Sequence, residues 1–275
     1  MSNLSAIKQL NRQLPVQQQL MPVLFTGHGS PMNGIEDNLF SREWAALPAT
    51  MPVPRAVIVV SAHWYTRGTA VTAMDFPETI HDFGGFPREL FAVQYPAPGS
   101  PEIAAETAGL LQGAGVTLDH DWGLDHGAWT ILRHMFPAAD IPVLQLSIDY
   151  TKSPAAHYEL AGELAQLRRR GVLIMGSGNM VHNLRMLDYN MMSGGGYDWA
   201  LEVNAQFREL ILNHDHASLI RWEQLGSAAR LAIPTPEHYL PLLYTLGLQE
   251  EQDEVMLFND RAVGGAITMT SVRIG

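Results

Sequence analysis

Residues 55–62 constrain the fold of this chain more than any other stretch. They contain an unbroken apolar run, Ala56-Val57-Ile58-Val59-Val60, in which most of the side chains are β-branched. A continuous run, rather than an alternating one, is typical of a strand that is buried on both faces at the centre of a parallel sheet. Such a strand needs helices on both sides, so the run predicts an α/β architecture.

Shorter apolar runs recur along the chain and alternate with helical patterns. Strands are predicted at residues 22–25, 55–62, 68–74, 116–118, 143–148, 171–176, 255–258 and 266–274. Helices are predicted at residues 36–47, 100–113, 129–136, 153–170, 198–213 and 236–246. This alternation predicts one α/β domain, with a mostly parallel or mixed central sheet flanked by helices and an antiparallel tail. We place the domain at residues 22–275 and interpret residues 1–21, which are polar and rich in glutamine, as an N-terminal arm.

Charge and composition exclude several classes of function. The formal net charge of −11 leaves no basic face for a phosphate backbone, so no nucleic-acid partner is expected. The absence of cysteine excludes disulfides and thiolate metal sites. No apolar stretch approaches the ~20 residues that a membrane span needs, and residues 1–21 do not resemble a secretory signal. We therefore expect no membrane partner and a cytoplasmic location, and the oligomeric state is left open.

Five histidines share a setting that points to a metal ion. His28 and His63 follow predicted strands, His182 comes shortly after another, and His126 and His238 lie near predicted helix starts. In an open α/β sheet, strand ends and helix starts fall on the same edge, where ligands bind. We therefore expect these side chains to gather around one ion, although they are spread over most of the chain.

The dipeptide Glu237-His238 leaves two kinds of metal site open. A carboxylate ligand from Glu237 would complete the two-His-one-carboxylate triad of non-haem Fe(II) oxygenases. An imidazole ligand from His238 would complete an all-histidine site, which also suits Zn²⁺. Adjacent helical residues point about 100° apart, so both side chains rarely reach one ion.

Seven short motifs occur in order as Gly27-His28-Gly29-Ser30-Pro31, Ser61-Ala62-His63-Trp64, His81-Asp82-Phe83-Gly84-Gly85-Phe86-Pro87, Tyr95-Pro96-Ala97-Pro98-Gly99, Asp125-His126-Gly127-Ala128-Trp129, Gly176-Ser177-Gly178-Asn179-Met180-Val181-His182-Asn183 and Pro236-Glu237-His238-Tyr239. Together they resemble one family, the class III (LigB-type) extradiol ring-cleavage dioxygenases, and within it the 4,5-DOPA extradiol dioxygenase branch. The resemblance covers nearly the whole chain and implies a single α/β domain.

The resemblance also implies roles for individual residues. His28, His63 and His238 correspond to metal ligands, although the protocatechuate-cleaving branch has a carboxylate at the third position. His182 corresponds to a base beside the metal or an additional ligand, and His126 to a residue that takes part in acid–base chemistry or in oxygen handling. The residues expected to contact the substrate are Ser30, Trp64, Phe83 and Tyr239. The aromatic segment at residues 75–100 is expected to form a lid or a pocket wall.

By the same resemblance, the substrates are O₂ and a catechol such as 3,4-dihydroxyphenylalanine, whose ring opens beside the diol. One divalent non-haem ion is implied. We expect Fe²⁺ to support catalysis and Zn²⁺ to be possible in an isolated sample, because zinc has no redox chemistry. Two other hypotheses stay open at this point, a zinc-dependent hydrolase that activates water and a non-enzymatic binding protein on the same fold.

Overall fold

The computed structural model describes residues 20–275. The arm predicted at residues 1–21 lies outside the described residues except for its last two, so the boundary between arm and domain stays a prediction. Within residues 20–275, none of the helices combines the length and the apolarity needed to cross a membrane.

The centre of the molecule is a mixed eight-stranded sheet, in agreement with the predicted fold class. Its strands follow the order β4-β3-β5-β2-β6-β1-β10-β7, and β8 and β9 form a separate hairpin. The strand bounds are Val23–Gly27 (β1), Ala56–Thr66 (β2), Ala70–Thr72 (β3), Thr117–Asp119 (β4), Val143–Asp149 (β5), Val172–Gly178 (β6), Val255–Phe258 (β7), Ala262–Val263 (β8), Ile267–Thr268 (β9) and Ser271–Ile274 (β10).

The four inner strands of the sheet, β5, β2, β6 and β1, run parallel to one another. Strand β3 is antiparallel to β5 at one side, and β10 is antiparallel to both β1 and β7 at the other. The carboxyl ends of the inner strands therefore share one edge of the sheet, where open α/β folds place their ligands.

Helices cover both faces of the sheet. Their bounds are Leu39–Ala46 (α1), Arg88–Phe91 (α2), Pro101–Leu110 (α3), His126–Met135 (α4), Pro154–Gly162 (α5), Ala165–Arg169 (α6), Asp198–Leu212 (α7), His216–Ile220 (α8), Ser227–Ala232 (α9) and Leu240–Gly247 (α10). Strand β2 shows why both faces are covered. Ile58 and Val60 belong to one buried apolar cluster and Val57 and Val59 to the other, as the period of two along a strand requires.

The helix predicted at residues 153–170 is divided into α5 and α6. The Glu163 N–H bonds to the carbonyls of both Leu160 and Ala161, which tightens and ends α5. The redirected chain carries Arg168 into the interior, where it donates to the Met21 carbonyl at 2.9 Å and pairs with Asp253 at 2.7 Å. A straight helix was therefore the wrong prediction, because a buried cation must reach its partners.

Other boundaries differ from the predictions near the carboxyl edge of the sheet. Strand β2 continues through His63 to Thr66, with a register shift against β5 between Val60 and Tyr65. The helix predicted from residue 236 begins at Leu240, because the Pro236 carbonyl accepts from the N–H groups of both Tyr239 and Leu240 in a preceding turn. The strand predicted at residues 266–274 is interrupted between β9 and β10, and the short helices α8 and α9 were not predicted.

Candidate metal centre

The five histidines meet at the carboxyl edge of the inner strands. The ring centroid of His28 lies 4.9 Å from that of His63, 5.4 Å from that of His126 and 5.3 Å from that of His238. The ring of His182 stacks on that of His238 with centroids 3.6 Å apart. All five residues line one cavity of about 1400 Å³. The fold thus brings together side chains that the sequence separates widely.

Three of these rings form a group that could hold a non-haem metal ion. The ligand nitrogens of His28, His63 and His238 lie within 4.8 Å of one another. The Nε2 atoms of His28 and His63 are 3.0 Å apart. Two further groups have ligand atoms within the same distance of one another. One is His63, Asp82 and His126, and the other is His182, Glu237 and His238. Imidazole nitrogens suit zinc and iron alike, so this donor set fits a metal without selecting one.

Hydrogen bonds fix the tautomer of His28. The Ser177 hydroxyl donates to the Gly127 carbonyl at 2.6 Å and lies 3.0 Å from Nδ1 of His28. A hydroxyl has one proton, so towards His28 it acts as the acceptor and Nδ1 carries the hydrogen. The Nε2 atom that faces His63 therefore keeps its lone pair. A partner behind a ligand histidine is the usual way in which metal sites orient their rings.

Asp82 supports His63 and His126. Its carboxylate accepts from the backbone N–H and from Nδ1 of His126, both at 2.9 Å, and lies 3.5 Å from Nδ1 of His63. Burial raises the pKa of Asp82, but the hydrogen bonds from His126 outweigh that effect and the pKa is lowered. Asp82 lies in the motif Asp82-Phe83-Gly84-Gly85, but the sequence alone predicted no role for it. Its separation of 44 residues from His126 hid the contact.

His238 is held by its side chain and by its backbone. Nδ1 of His238 lies 3.2 Å from Oε1 of Glu237, and its carbonyl accepts from the Asn179 N–H at 2.9 Å. A Cβ atom at Gly178 would collide with that carbonyl. Burial raises the pKa of Glu237, but the His238 hydrogen bond outweighs it and lowers the pKa to about 2. Glu237 is therefore a carboxylate that faces the ring from the Nδ1 side.

Burial keeps the clustered imidazoles neutral. It lowers the pKa values of His28 and His63 well below the usual range, and the neighbouring imidazoles lower them further. Burial likewise lowers the pKa of His238, against the opposing effect of Glu237. The pKa of His182 falls to about 3, chiefly through burial and then through His238. Neutral rings with free lone pairs are the form that binds metal ions.

A buried carboxyl group supports the start of α4, where His126 lies. Asp125 accepts from the Ala128 N–H as the helix cap, and it also accepts from the Ser61 hydroxyl and the Gln145 amide. Burial, followed by the charge of Asp82, raises the pKa of Asp125 to about 6.

Of the residues predicted to contact the substrate, some line the cavity and others do not. Ser30 lines the cavity, whereas Phe83 does not and instead packs with its ring centroid 5.6 Å from that of His126. Trp64 is buried and stacks on Trp122, with centroids 5.6 Å apart. Successive strand residues point to opposite faces, so Trp64 points away when His63 faces the cavity.

Tyr239 also lies away from the cavity. It is fully buried, donates its hydroxyl to the Leu219 carbonyl at 2.9 Å and packs against Phe207 and Trp222. The side chains of Trp64 and Tyr239 both pack in the core. These positions do not agree with direct contact between either side chain and a substrate.

Comparison with known proteins adds an independent finding. A family model described as "Catalytic LigB subunit of aromatic ring-opening dioxygenase" matches residues 23–268. The chain is 47% identical over 262 residues to the 4,5-DOPA dioxygenase extradiol of Escherichia coli K12, and the match covers 93% of this chain and 95% of the relative. It is 35% identical over 264 residues to the protein of the same name from Beta vulgaris, covering 94% and 97% of the two chains.

A solved structure is similar across the same region. The crystal structure of an uncharacterized protein from Escherichia coli K12 superposes with a TM-score of 0.79 at 43% sequence identity. The match covers 93% of this chain and 100% of the other. The central sheet and the edge that carries the histidines therefore belong to a fold seen by experiment.

Proposed function

The chain belongs to the LigB family of aromatic ring-opening dioxygenases and is an extradiol ring-cleaving dioxygenase, and we propose that it opens a catechol such as 3,4-dihydroxyphenylalanine with O₂ at a metal held by His28, His63 and His238. The observation that carries the proposal is the convergence of these three imidazoles within 4.8 Å at the wall of a large cavity. The names of the bacterial and plant relatives support the choice of 3,4-dihydroxyphenylalanine.

We propose Fe²⁺ as the ion that supports catalysis. When bound, it supplies a redox-active centre that couples the electrons of the catechol to dioxygen, which Zn²⁺ cannot do. The donor set of neutral imidazoles accepts either ion, so an isolated sample can carry zinc and be inactive. The partners behind the ligands, Ser177, Asp82 and Glu237, hold the rings in place whichever ion is present.

His182 is the proposed base for the first proton transfer. Within residues 20–275 its ring stacks on His238, and no hydrogen bond occupies its nitrogens. With a pKa of about 3, the ring is neutral near pH 7 but only weakly basic, so it accepts the proton of a catechol hydroxyl when the negative charge of the catecholate forms beside it. Its position beside His238 and Glu237 also allows it to act as an additional ligand before substrate binds.

His126 is the proposed acid–base residue at the other side of the site. Asp82 receives the hydrogen of Nδ1, which leaves Nε2 as the atom that can accept or return a proton. The ring lines the cavity beside His28 and His63. Ser30 contributes a hydroxyl to the same cavity, and Phe83 supports His126 from behind.

The proposal is tested by removing metal with a chelator under anaerobic conditions and reloading the protein with Fe²⁺ or Zn²⁺. We expect the Fe²⁺ form to consume one O₂ per catechol and to produce the yellow absorbance of an opened ring, and the Zn²⁺ form to do neither. Ring opening by the zinc form alone would contradict the metal assignment. Hydrolysis of an ester or amide without oxygen uptake would instead support a zinc hydrolase.

A further inference from the structure

The cavity extends well beyond the histidines. Its volume of about 1400 Å³ exceeds the 300–1,000 Å³ typical of small-molecule sites, whereas a catechol ring is among the smallest of ligands. The lining of the cavity also includes residues before α1, one face of α7 and the turn before β8. A group attached to the ring therefore has room to reach these elements.

Apart from histidine, four charged residues within the described residues 20–275 line the cavity, and two of them neutralise each other. They are Glu36, Arg208, Asp260 and Arg261. Nε of Arg208 lies 3.0 Å from Oδ2 of Asp260, and the other oxygen of Asp260 accepts from Asn204 at 3.1 Å and from Thr270 at 2.9 Å. The carboxylate of Asp260 is thus fully used by the protein.

The charges of Arg261 and Glu36 are not neutralised by an ion pair within residues 20–275. Among residues 20–275, no acidic group lies within 4.0 Å of the Arg261 guanidinium. Glu36 accepts a hydrogen bond from the Asn38 amide at 3.2 Å but has no cationic partner in the same part of the chain. Both side chains are exposed to the cavity. One free cation and one free anion on separate elements of one cavity match a ligand that carries both charges.

The backbone that carries Arg261 is fixed, although its side chain is free. The carbonyl of Arg261 accepts from the Met269 N–H at 2.8 Å. Two residues earlier, the Asn259 N–H donates to the Glu43 carboxylate at 2.7 Å, and its amide donates to the Phe40 carbonyl at 3.3 Å. These bonds tie the turn to α1, so the turn holds a defined position relative to the segment that contains Glu36.

We propose that Arg261 binds the carboxylate, and Glu36 the ammonium group, of an α-amino acid whose catechol ring lies at His28, His63 and His238. This assignment rests on the proposed function and adds two residues that determine substrate selectivity. Arginine presents paired N–H donors that match a carboxylate. An arginine with no internal acid partner gives up no existing ion pair when it binds one.

The test compares four catechols whose side chains carry different charged groups. They are 3,4-dihydroxyphenylalanine with both charges, 3,4-dihydroxyphenylpropionate with the carboxylate, dopamine with the ammonium and 4-methylcatechol with neither. We expect Arg261→Gln to raise KM about tenfold for the two carboxylates. We expect Glu36→Gln to raise KM about threefold for the two ammonium compounds, because Glu36 is more weakly placed at an exposed site.

The matched control is Arg55→Gln. Arg55 precedes β2 at the opposite edge of the sheet, so this substitution should change none of the four KM values. An equal rise in KM for all four catechols with Arg261→Gln, or no rise for the carboxylates, would overturn the assignment. If the wild-type protein consumes no oxygen with any catechol, the proposed function fails instead. Anaerobic calorimetric titration with the same four compounds then decides the assignment, because a binding loss confined to the carboxylates still supports it.

Discussion

The two walls of the cavity are built in different ways. The inner wall consists of His28, His63 and His238, which the central strands and their adjoining turns place by hydrogen bonds to side chains and backbone. The outer wall includes residues 184–196, where Leu184 is 59% and Tyr189 81% exposed. This segment contains three consecutive glycines at residues 194–196 and only short 3₁₀ turns.

The difference separates two requirements of a dioxygenase. Metal binding needs fixed geometry, which a packed sheet edge supplies, whereas substrate selection needs surfaces that can vary. We therefore expect substitutions in the inner wall to act on metal content and folding, and substitutions in the outer wall to act on KM. Four predictions test this division, beginning with the largest effect.

Replacing a proposed metal ligand of the inner wall should abolish activity. His63→Ala removes one of the three converging imidazoles, so we expect both metal content and oxygen uptake to be lost. The loss should exceed the roughly 10–100-fold that follows removal of a partner behind a ligand. Metal analysis and an oxygen electrode provide the measurements. His120→Ala is the control, because His120 is exposed and does not line the cavity; a metal-free result for both variants would contradict the assignment.

Glycine substitutions should differ in their effect on stability. At Gly178, which packs behind His238 of the inner wall, an added Cβ would collide with the His238 carbonyl, whereas at Gly84, which lines the cavity, it meets no atom of residues 20–275 within 4 Å. We expect Gly178→Ala to cost about 2–4 kcal/mol of unfolding free energy and Gly84→Ala less than about 0.5 kcal/mol. Urea unfolding measures both. Equal stability of the two variants would show that the contact with His238 can relax.

The support behind the inner wall should depend on pH through Asp125. Its pKa is raised to about 6 from the ordinary 3.8, so the folded state favours the protonated carboxyl. This contribution is fully present below about pH 4 and is lost as the pH rises through 6. A shift of about two units corresponds to roughly 3 kcal/mol.

Asp125→Asn provides the comparison, because the amide cannot titrate. We expect the unfolding free energy of the wild type, relative to this variant, to fall between pH 4 and pH 7. Urea unfolding at pH 4.5, 5.5 and 6.5 follows the change. Parallel pH profiles of the two proteins would mean that Asp125 stays ionised in the folded protein.

The smallest effect should come from the outer wall. Tyr189 lines the cavity but is largely exposed and lies in a short 3₁₀ turn. We expect Tyr189→Ala to change KM by about threefold or less, which is below 1 kcal/mol, and to leave metal content unchanged. Steady-state kinetics and metal analysis measure the two quantities. Loss of metal from this variant would remove the distinction between the walls.

The sequence predicted the inner wall better than the outer one. The apolar runs before His28 and His63 identified buried strands, and strand direction then brought the histidines to one edge. The errors at the inner wall were in local detail, such as the turn after which α10 begins at Leu240. Hydrogen bonds of the Pro236 carbonyl form this turn, and they have no effect on the periodicity of the sequence.

Residues whose role depends on a distant partner were not predictable. Asp82 and Ser177 orient histidines from positions that are 44 and 149 residues away along the chain. Trp64 and Tyr239 were predicted to contact the substrate, and the structure places both side chains in the core. A short motif does not show the face on which a side chain lies, because that face depends on the local backbone conformation.

The close fit of Gly178 against the turn of His238 has a consequence for how the enzyme acquires its ion. The carbonyl of His238 and the N–H of Asn179 are joined within the protein, so the backbone that carries this imidazole is held in place before an ion binds. Neutral imidazoles suit several divalent ions, so metal availability contributes to deciding which ion is bound. With Fe²⁺ as the proposed catalytic ion, cells starved of iron should accumulate protein that is correctly folded and catalytically silent.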